Sequence, residues 1–246
     1  MKRIAKYSVS AAALAVLLAL TGCATGPNRN PRDPLEPFNR GVYKLNDAVD
    51  TAVLKPVATA YVNATPQLIR TGVTNFFSNL AEPWSFVNNV LQGKGQAAGD
   101  NFGRFVMNTL FGVFGLADPA SDAGIERHRE DFGQTLGTWG VPPGPYLVLP
   151  LLGSSTVRDT AALPVDLQGN PINYVEDNGA QIGLYALRAV SARASLLRAG
   201  NVLDEAALDK YSFSRDVYLQ VRRGEVFDGN APDPSAEPAK PLPVKP

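Results

Sequence analysis

Residues 33–53 read DPLEPFNRGVYKLNDAVDTAV and combine a helix start with a helical hydrophobic period. Asp33 occupies a capping position, Pro34 follows at the first helical position, and Glu36 lies three residues after the cap. Apolar residues then recur every three or four positions, as on one face of an α-helix: Phe38, Val42, Leu45, Val49 and Val53. This stretch predicts a helix with one apolar stripe, which Lys55-Pro56 kinks or ends.

The same helical period recurs through most of the chain that follows. Thr65-Pro66 predicts a second helix start, Glu82-Pro83 predicts a third, and Gln92-Gly93 predicts where that third helix ends. Further helices are predicted around residues 102–113, over residues 175–199 and over residues 203–223. We accordingly predict an all-α fold in a single, mostly helical domain.

Residues 140–153, GVPPGPYLVLPLLG, interrupt this pattern, because five of the first six are Gly or Pro. The stretch cannot form a regular helix and is too short to span a bilayer. It is either a buried loop or short strand packed on the core, or an apolar hairpin loop that dips into lipid or lines a passage. We predict that it gates a passage, with Gly140, Gly144, Leu147 and Leu149 as the gate residues.

The N-terminus carries the signals of an exported and lipidated protein. Basic residues precede an apolar stretch from Val9 to Leu20, which is typical of a signal peptide. Leu20-Thr21-Gly22-Cys23 resembles the bacterial lipobox, which implies that Cys23 is lipidated, and Ala24 rather than Asp implies sorting to the outer membrane. Four segments are predicted: signal peptide 1–22, lipidated tether 23–32, helical domain 33–228 and disordered Pro-rich tail 229–246.

Composition excludes several classes of function. The 23 basic and 23 acidic residues balance, which argues against a nucleic-acid binder, since phosphate backbones attract a basic surface. One Cys and one His cannot form the usual zinc sites or an intramolecular disulfide. We expect no cofactor and no metal.

No catalytic motif stands out in the sequence. His128 lies between two arginines, and Gly153-Ser154-Ser155 lacks the second glycine of a nucleophile elbow, so that Ser155 or Thr156 is better interpreted as a helix cap. We therefore expect no enzyme. The alternative left open is a lipolytic enzyme that uses His128 with Ser154 or Ser155.

Short segments between residues 33 and 222 together resemble the MlaA/VacJ family of lipoproteins of Gram-negative outer membranes. The matching segments include Asp33-Pro34-Leu35-Glu36, Asn75-Phe76-Phe77, Glu82-Pro83, Asp131-Phe132-Gly133-Gln134-Thr135-Leu136-Gly137, Gly144-Pro145-Tyr146 and Arg215-Asp216. Two residues depart from the family pattern: Pro142 and Ala162 stand where glycines are usual.

The resemblance implies a ring-like helical body that lies in the periplasmic leaflet of the outer membrane, with an amphipathic channel through its middle. It implies association with trimeric porins and hand-over of lipid to a soluble, MlaC-like periplasmic carrier. The implied role is passive, retrograde transport of phospholipids that have strayed into the outer leaflet, which maintains lipid asymmetry. A structural lipoprotein that only braces porins is the other alternative left open.

Three polar residues are candidates for the channel or for contact with a lipid headgroup. Asn75 and Asn79 are four residues apart and can share one helix face, although such residues also cap helices or bond within a core. Arg104 could attract a phosphate, although a structural ion pair would explain it equally well.

Overall fold

The structure is a computed structural model that describes residues 33–231, except for the side chains of residues 203–206. Helices make up most of it, which confirms the predicted all-α class. In chain order they are α1 (Glu36–Val49), α2 (Lys55–Ala64), α3 (Gln67–Leu91), α4 (Gly95–Leu110), α5 (Pro119–Asp122), α6 (Phe132–Thr138), α7 (Val157–Gln168), α8 (Asn178–Ser195), α9 (Leu197–Ala206) and α10 (Lys210–Val226). The predicted signal peptide, Cys23, the tether and nearly all of the predicted tail lie outside the described residues.

Two strands, β1 (Tyr146–Leu149) and β2 (Gly153–Thr156), form an antiparallel hairpin, the only sheet between residues 33 and 231. Strand β1 and the turn after it fall within the predicted Gly/Pro-rich apolar segment, whereas β2 begins at the last residue of that segment, Gly153. Gly140 and Gly144 have φ angles of 90° and 68°, which glycine adopts readily and other residues rarely do. Thr156 caps α7 by accepting a hydrogen bond from the Asp159 backbone nitrogen at 3.2 Å, as predicted.

Proline positions account for the main differences from the predicted helix boundaries. The α-helical pattern of α1 ends at Val49 in a π-helical turn, and α2 begins at Lys55 with a proline in its first turn. The prediction that Glu82-Pro83 starts a helix is wrong, because α3 continues through Pro83 to Leu91. An interior proline removes one backbone hydrogen bond, but the buried side chains on either side of it fix this part of α3 against other elements.

The structure has three helices where the sequence predicted two, over residues 175–199 and 203–223. Helix α8 ends at Ser195, before the predicted end at residue 199, and residues 197–206 form the separate helix α9. Helix α10 starts at Lys210 rather than at residue 203, because Asp209 caps it by accepting from the backbone nitrogens of Tyr211 and Ser212.

The hairpin is attached to α1 by two asparagine side chains. The amide of Asn39 donates to the Tyr146 carbonyl at 3.0 Å and accepts from the Val148 nitrogen at 2.9 Å. Seven residues further, about two turns along α1, Asn46 donates to the Leu149 carbonyl at 2.9 Å and accepts from the Leu151 nitrogen at 2.8 Å. The two amides therefore satisfy the outer backbone edge of β1, as a third strand would.

The apolar core is small and lies behind this hairpin. Tyr146 and Val148 of β1 pack with Tyr211 of α10, and residues from α1 and α10 surround them: Val42, Tyr43, Tyr218 and Leu219. Leu147 and Leu149 point to the opposite face of β1 and are half-buried. The hairpin consequently joins the first and last helices of the described chain.

Candidate functional site

The contact between α3 and α4 is polar where two helices usually place apolar residues. The buried residues of this polar seam recur every three or four positions: Ser78, Glu82, Ser85 and Asn89 on α3, and Asn101, Arg104 and Asn108 on α4. This spacing normally defines an apolar helix–helix seam. The interior here depends on hydrogen bonds and ion pairs instead.

Arg104 is the centre of the polar seam and is only 1% exposed. Its guanidinium donates to Glu82 at 3.2 Å, to Asp118 at 2.7 Å and to the Ile125 carbonyl. Arg127 contacts the same Glu82 oxygen, Oε1, at 2.8 Å. Of the two interpretations offered by the sequence, the structural ion pair is the one this geometry matches, because these partners occupy the guanidinium donors.

The other two candidate polar residues face the end of α4 and the loop that follows it. Asn75 donates to the Leu116 carbonyl at 3.2 Å, and Asn79 donates to Thr109 at 3.0 Å. The Asn79 side chain lies so close to Gly115 that a Cβ there would approach it to 2.6 Å. The two residues share a helix face, as their spacing indicated, and that face binds the protein's own loop.

A cavity of about 680 Å³ lies between α3, α7, α8 and α10. Part of its wall is apolar: Phe77, Leu80, Trp84, Leu163 and Leu167. Another part carries charges of both signs: Arg129, Asp131, Asp166, Arg188, Arg222 and Glu225. A wall of this composition suits an amphipathic ligand.

Of these six charged side chains, three already have ion-pair partners within the protein, and a fourth, the carboxylate of Asp166, has hydrogen-bond donors. Arg222 contacts Asp131 at 2.6 Å and Asp159 at 3.1 Å, and these interactions hold the pKa of both carboxyl groups below the usual range despite their burial. Asp166 accepts from the Trp84 indole at 2.8 Å and from a backbone nitrogen. Burial nevertheless raises the pKa of Asp166.

Arg129 and Arg188 are the two cavity arginines without a carboxylate partner in the described chain. Arg129 donates to the Ser78 hydroxyl at 3.1 Å, and Arg188 makes no hydrogen bond or ion pair between residues 33 and 231. They are therefore available to an anionic ligand. Sequence reasoning missed both, because the sequence of α8 does not show which of its arginines finds a carboxylate: Arg193 on the same helix pairs with Asp50 at 2.6 Å.

The residues of the lipolytic alternative are not brought together. His128 Nε2 lies 3.2 Å from Asp100 Oδ2. The Ser154 hydroxyl bonds to that of Tyr146 at 2.8 Å, and the Ser155 hydroxyl bonds to that of Thr160 at 2.9 Å. Neither serine hydroxyl is hydrogen-bonded to His128 in the part of the chain described.

Large apolar side chains are exposed on the outside of the helices. They include Phe38 and Leu45 of the stripe predicted for α1, Leu68 and Ile69 of α3, Phe102 of α4, Ile182 of α8, and Leu110, Phe111, Val113 and Phe114 at the turn after α4. Extended apolar surfaces of this kind mark contact with lipid or with another protein. Within residues 33–231 no helix has both the length and the apolar character needed to cross a bilayer.

The polar seam, the cavity with charges of both signs and the outer apolar surface together define a class of protein. It is a helical protein whose surface suits contact with a membrane or a partner. None of the helices within residues 33–231 could cross the bilayer. The chain belongs to the MlaA lipoprotein family, whose model matches residues 31–225. It is 36% identical to the intermembrane phospholipid transport system lipoprotein MlaA of Shigella flexneri, over 95% of this chain and 94% of that relative. Its identity to the corresponding protein of Haemophilus influenzae is 35%, over 88% and 90% of the two chains.

A solved structure with 36% sequence identity superposes with a TM-score of 0.70 and covers 80% of this chain and 100% of its own. That structure was described as the structural basis for maintenance of bacterial outer membrane lipid asymmetry. At 36% identity, this chain resembles that solved structure in sequence as well as in fold.

Proposed function

We propose that this protein maintains the lipid asymmetry of the outer membrane by passively conducting misplaced phospholipids from the outer leaflet toward a periplasmic carrier. The family membership supports this proposal, since relatives of similar length are named for intermembrane phospholipid transport. Transport of this kind needs no bond to be made or broken, so its energy comes from other components of the system.

The cavity is the observation that carries the proposal. A phospholipid that leaves a leaflet needs polar partners for its headgroup and apolar contact for its acyl chains. Phe77, Leu80 and Trp84 supply the apolar contact, while Arg129 and Arg188 are available to the phosphate. Asp166 and Glu225 supply the opposite sign, which suits the ammonium of a zwitterionic headgroup.

The location and partners follow from the same proposal. We infer a ring-like body in the periplasmic leaflet, anchored through lipidated Cys23, bound to porin trimers and served by an MlaC-like soluble carrier. The outer apolar surface is what such a location requires, because apolar side chains gain free energy when they leave water. Gly140, Gly144, Leu147 and Leu149 remain the proposed gate, at the base and on the half-buried face of the hairpin.

Filling the cavity tests the proposal directly. Ala192 lines the cavity on α8, whereas Ala186 is an exposed residue of the same helix outside the cavity wall. In cells that lack their own copy, Ala192→Trp should leave protein abundance unchanged and cause phospholipid to accumulate in the outer leaflet. Ala186→Trp is the matched control and should restore asymmetry fully. Normal asymmetry with well-expressed Ala192→Trp would contradict transport through this cavity.

A further inference from the structure

A second cavity, of about 800 Å³, adjoins the first. It lies between the start of α4, the segment before α6 and the end of α10. Four residues line both cavities: Arg129, Glu130, Gln134 and Glu225. These four form the wall that separates the two spaces, and we call them the neck.

Arg129 is the one residue of the neck whose charge is not balanced within the described chain. Glu130 accepts from Lys94 at 2.9 Å, and Glu225 contacts Arg222 at 3.1 Å. Gln134 is neutral, and its amide, when rotated by half a turn, bridges the neck by donating to Glu130 at 2.9 Å and to the Glu225 carbonyl at 3.3 Å. The guanidinium of Arg129 bonds only to the hydroxyl of Ser78 in the part of the chain described.

The cations that line only one cavity differ from Arg129. In the second cavity Lys94 contacts Glu130 and Asp228, and Arg127 contacts Glu82 and Asp118. In the first cavity Arg188 is unpaired but does not line the second. Among the described arginines and lysines, only Arg129 both faces the two spaces and lacks a carboxylate.

We propose that Arg129 binds the phosphodiester of a phospholipid at the neck and thereby determines which ligands pass from one cavity to the other. The proposal rests on the proposed transport function and names the residue at its selective step. Arg129 is exposed to both spaces, so its planar guanidinium reaches a phosphate on either side and holds two of its oxygens. Glu130 and Glu225 are paired with Lys94 and Arg222, so Arg129 supplies the unbalanced charge of the neck, while the apolar wall of the first cavity favours a phosphodiester that carries acyl chains over a free phosphate.

The test measures lipid binding by the full chain in detergent, with a fluorescent phosphatidylethanolamine as probe. Arg129→Gln should weaken binding about tenfold, since a charge-assisted hydrogen bond of ordinary strength is lost. The affinity of Arg129→Lys should lie between those of the parent protein and Arg129→Gln, because lysine keeps the positive charge but not the two-pronged hydrogen bonding of a guanidinium. Arg198→Gln is the matched control: Arg198 is exposed, lies outside both cavities, and its replacement should leave binding unchanged.

Separate outcomes distinguish this proposal from the proposed function. If Ala192→Trp blocks lipid removal in cells while folded Arg129→Gln binds and transports normally, Arg129 has no such role and transport through the cavity stands. If Ala192→Trp itself transports normally, transport through this cavity is contradicted, and with it the role proposed for Arg129. Displacement of the probe by inorganic phosphate as effectively as by unlabelled phospholipid would overturn the assignment to a lipid headgroup.

Discussion

The inside and the outside of this protein reverse the usual distribution of polarity. The polar seam between α3 and α4 is built from Asn, Ser, Glu and Arg side chains, and Asn88, Asn89 and Asn101 have no exposed surface. By contrast, Phe111 and Phe114 at the turn after α4 are each 76% exposed. In water, apolar residues gain from burial and polar ones from exposure. The contrast teaches that the outer surface is suited to contact with lipid or with another protein, while the interior is specified by hydrogen bonds.

The most damaging way to break this contrast is to remove Arg104 from the polar seam. Arg104→Ala removes the buried cation between Glu82 and Asp118 and leaves them only the half-buried Arg127 as an ion-pair partner, and we expect a loss of about 3–5 kcal/mol in the free energy of unfolding. Chemical denaturation checks this. Arg198→Ala is the control: Arg198 is exposed, makes no side-chain hydrogen bond or ion pair within the described residues, and its replacement should change stability by less than about 0.5 kcal/mol. A loss for Arg104→Ala below about 1 kcal/mol would show that other contacts hold the seam.

The helices were predictable because their hydrophobic period survives in any medium. Which side of each helix faces the interior was not, since the period is the same whether the apolar stripe faces a core or lipid. Phe38 and Leu45 belong to the predicted stripe of α1 and are exposed, while Asn39 between them is fully buried. Likewise, Pro83 is an expected helix start that tertiary contacts of Glu82 and Ser85 override.

The site was predictable in kind but not in its residues. Sequence supplied the expectation of a polar path with an arginine, yet could not show that Arg104 is enclosed by carboxylates distant in the chain. Arg129 and Arg188 emerge only once α3, α8 and the segment before α6 are packed around one cavity. Pairing of charges over such separations is a tertiary property, which local spacing does not encode.

Locking the hairpin tests whether the apolar segment moves relative to the polar body. The Asn46 amide accepts from the Leu151 nitrogen at 2.8 Å, so we choose this contact between α1 and the hairpin turn for a pair of cysteines at positions 46 and 151, whose disulfide is verified by thiol titration before the assay. If the segment gates lipid passage, the oxidised double variant should accumulate outer-leaflet phospholipid, and a reductant should restore asymmetry.

The two single cysteine variants control for the loss of the Asn46 contacts, and they should transport normally. Their effect on stability should be small, because Leu151 is 72% exposed and water can replace the amide. Normal asymmetry in the fully oxidised double variant would end the gating hypothesis and leave the hairpin as a fixed support.

A substitution in the turn after α4 should have a smaller effect, raising stability while weakening membrane binding. Val113 has a φ of 53°, a conformation that costs a β-branched residue free energy and that asparagine tolerates. Val113→Asn should therefore raise stability by about 0.5–1 kcal/mol. It should also weaken binding to phospholipid vesicles about tenfold, since an apolar side chain no longer enters the lipid.

Vesicle binding by the turn is best measured with Cys23→Ala protein, in which the predicted anchor is absent. Val113→Leu is the control, because it keeps an apolar side chain at the same position and should bind normally. If Val113→Asn binds vesicles as well as the parent protein, the turn after α4 does not contact lipid.

The smallest effect is expected at His128, where the backbone and the side chain have different roles. The His128 carbonyl accepts from the buried Asn101 amide at 2.7 Å, and its backbone nitrogen donates to the same residue at 3.3 Å. The imidazole only pairs with Asp100 at the surface, a contact worth less than about 1 kcal/mol. His128→Ala should consequently preserve stability and lipid removal, because the polar seam uses only the backbone of this residue.

Asn101→Ala supplies the contrasting measurement at the same point of the seam. It leaves the His128 nitrogen without its partner and the His128 carbonyl with only the longer bond from Asn89 at 3.4 Å, and we expect a loss of about 1–3 kcal/mol in the free energy of unfolding. Outer-leaflet phospholipid is measured beside protein abundance for both variants. A defect in lipid removal by normally abundant His128→Ala protein would favour the lipolytic alternative, since the conduit requires nothing of the imidazole.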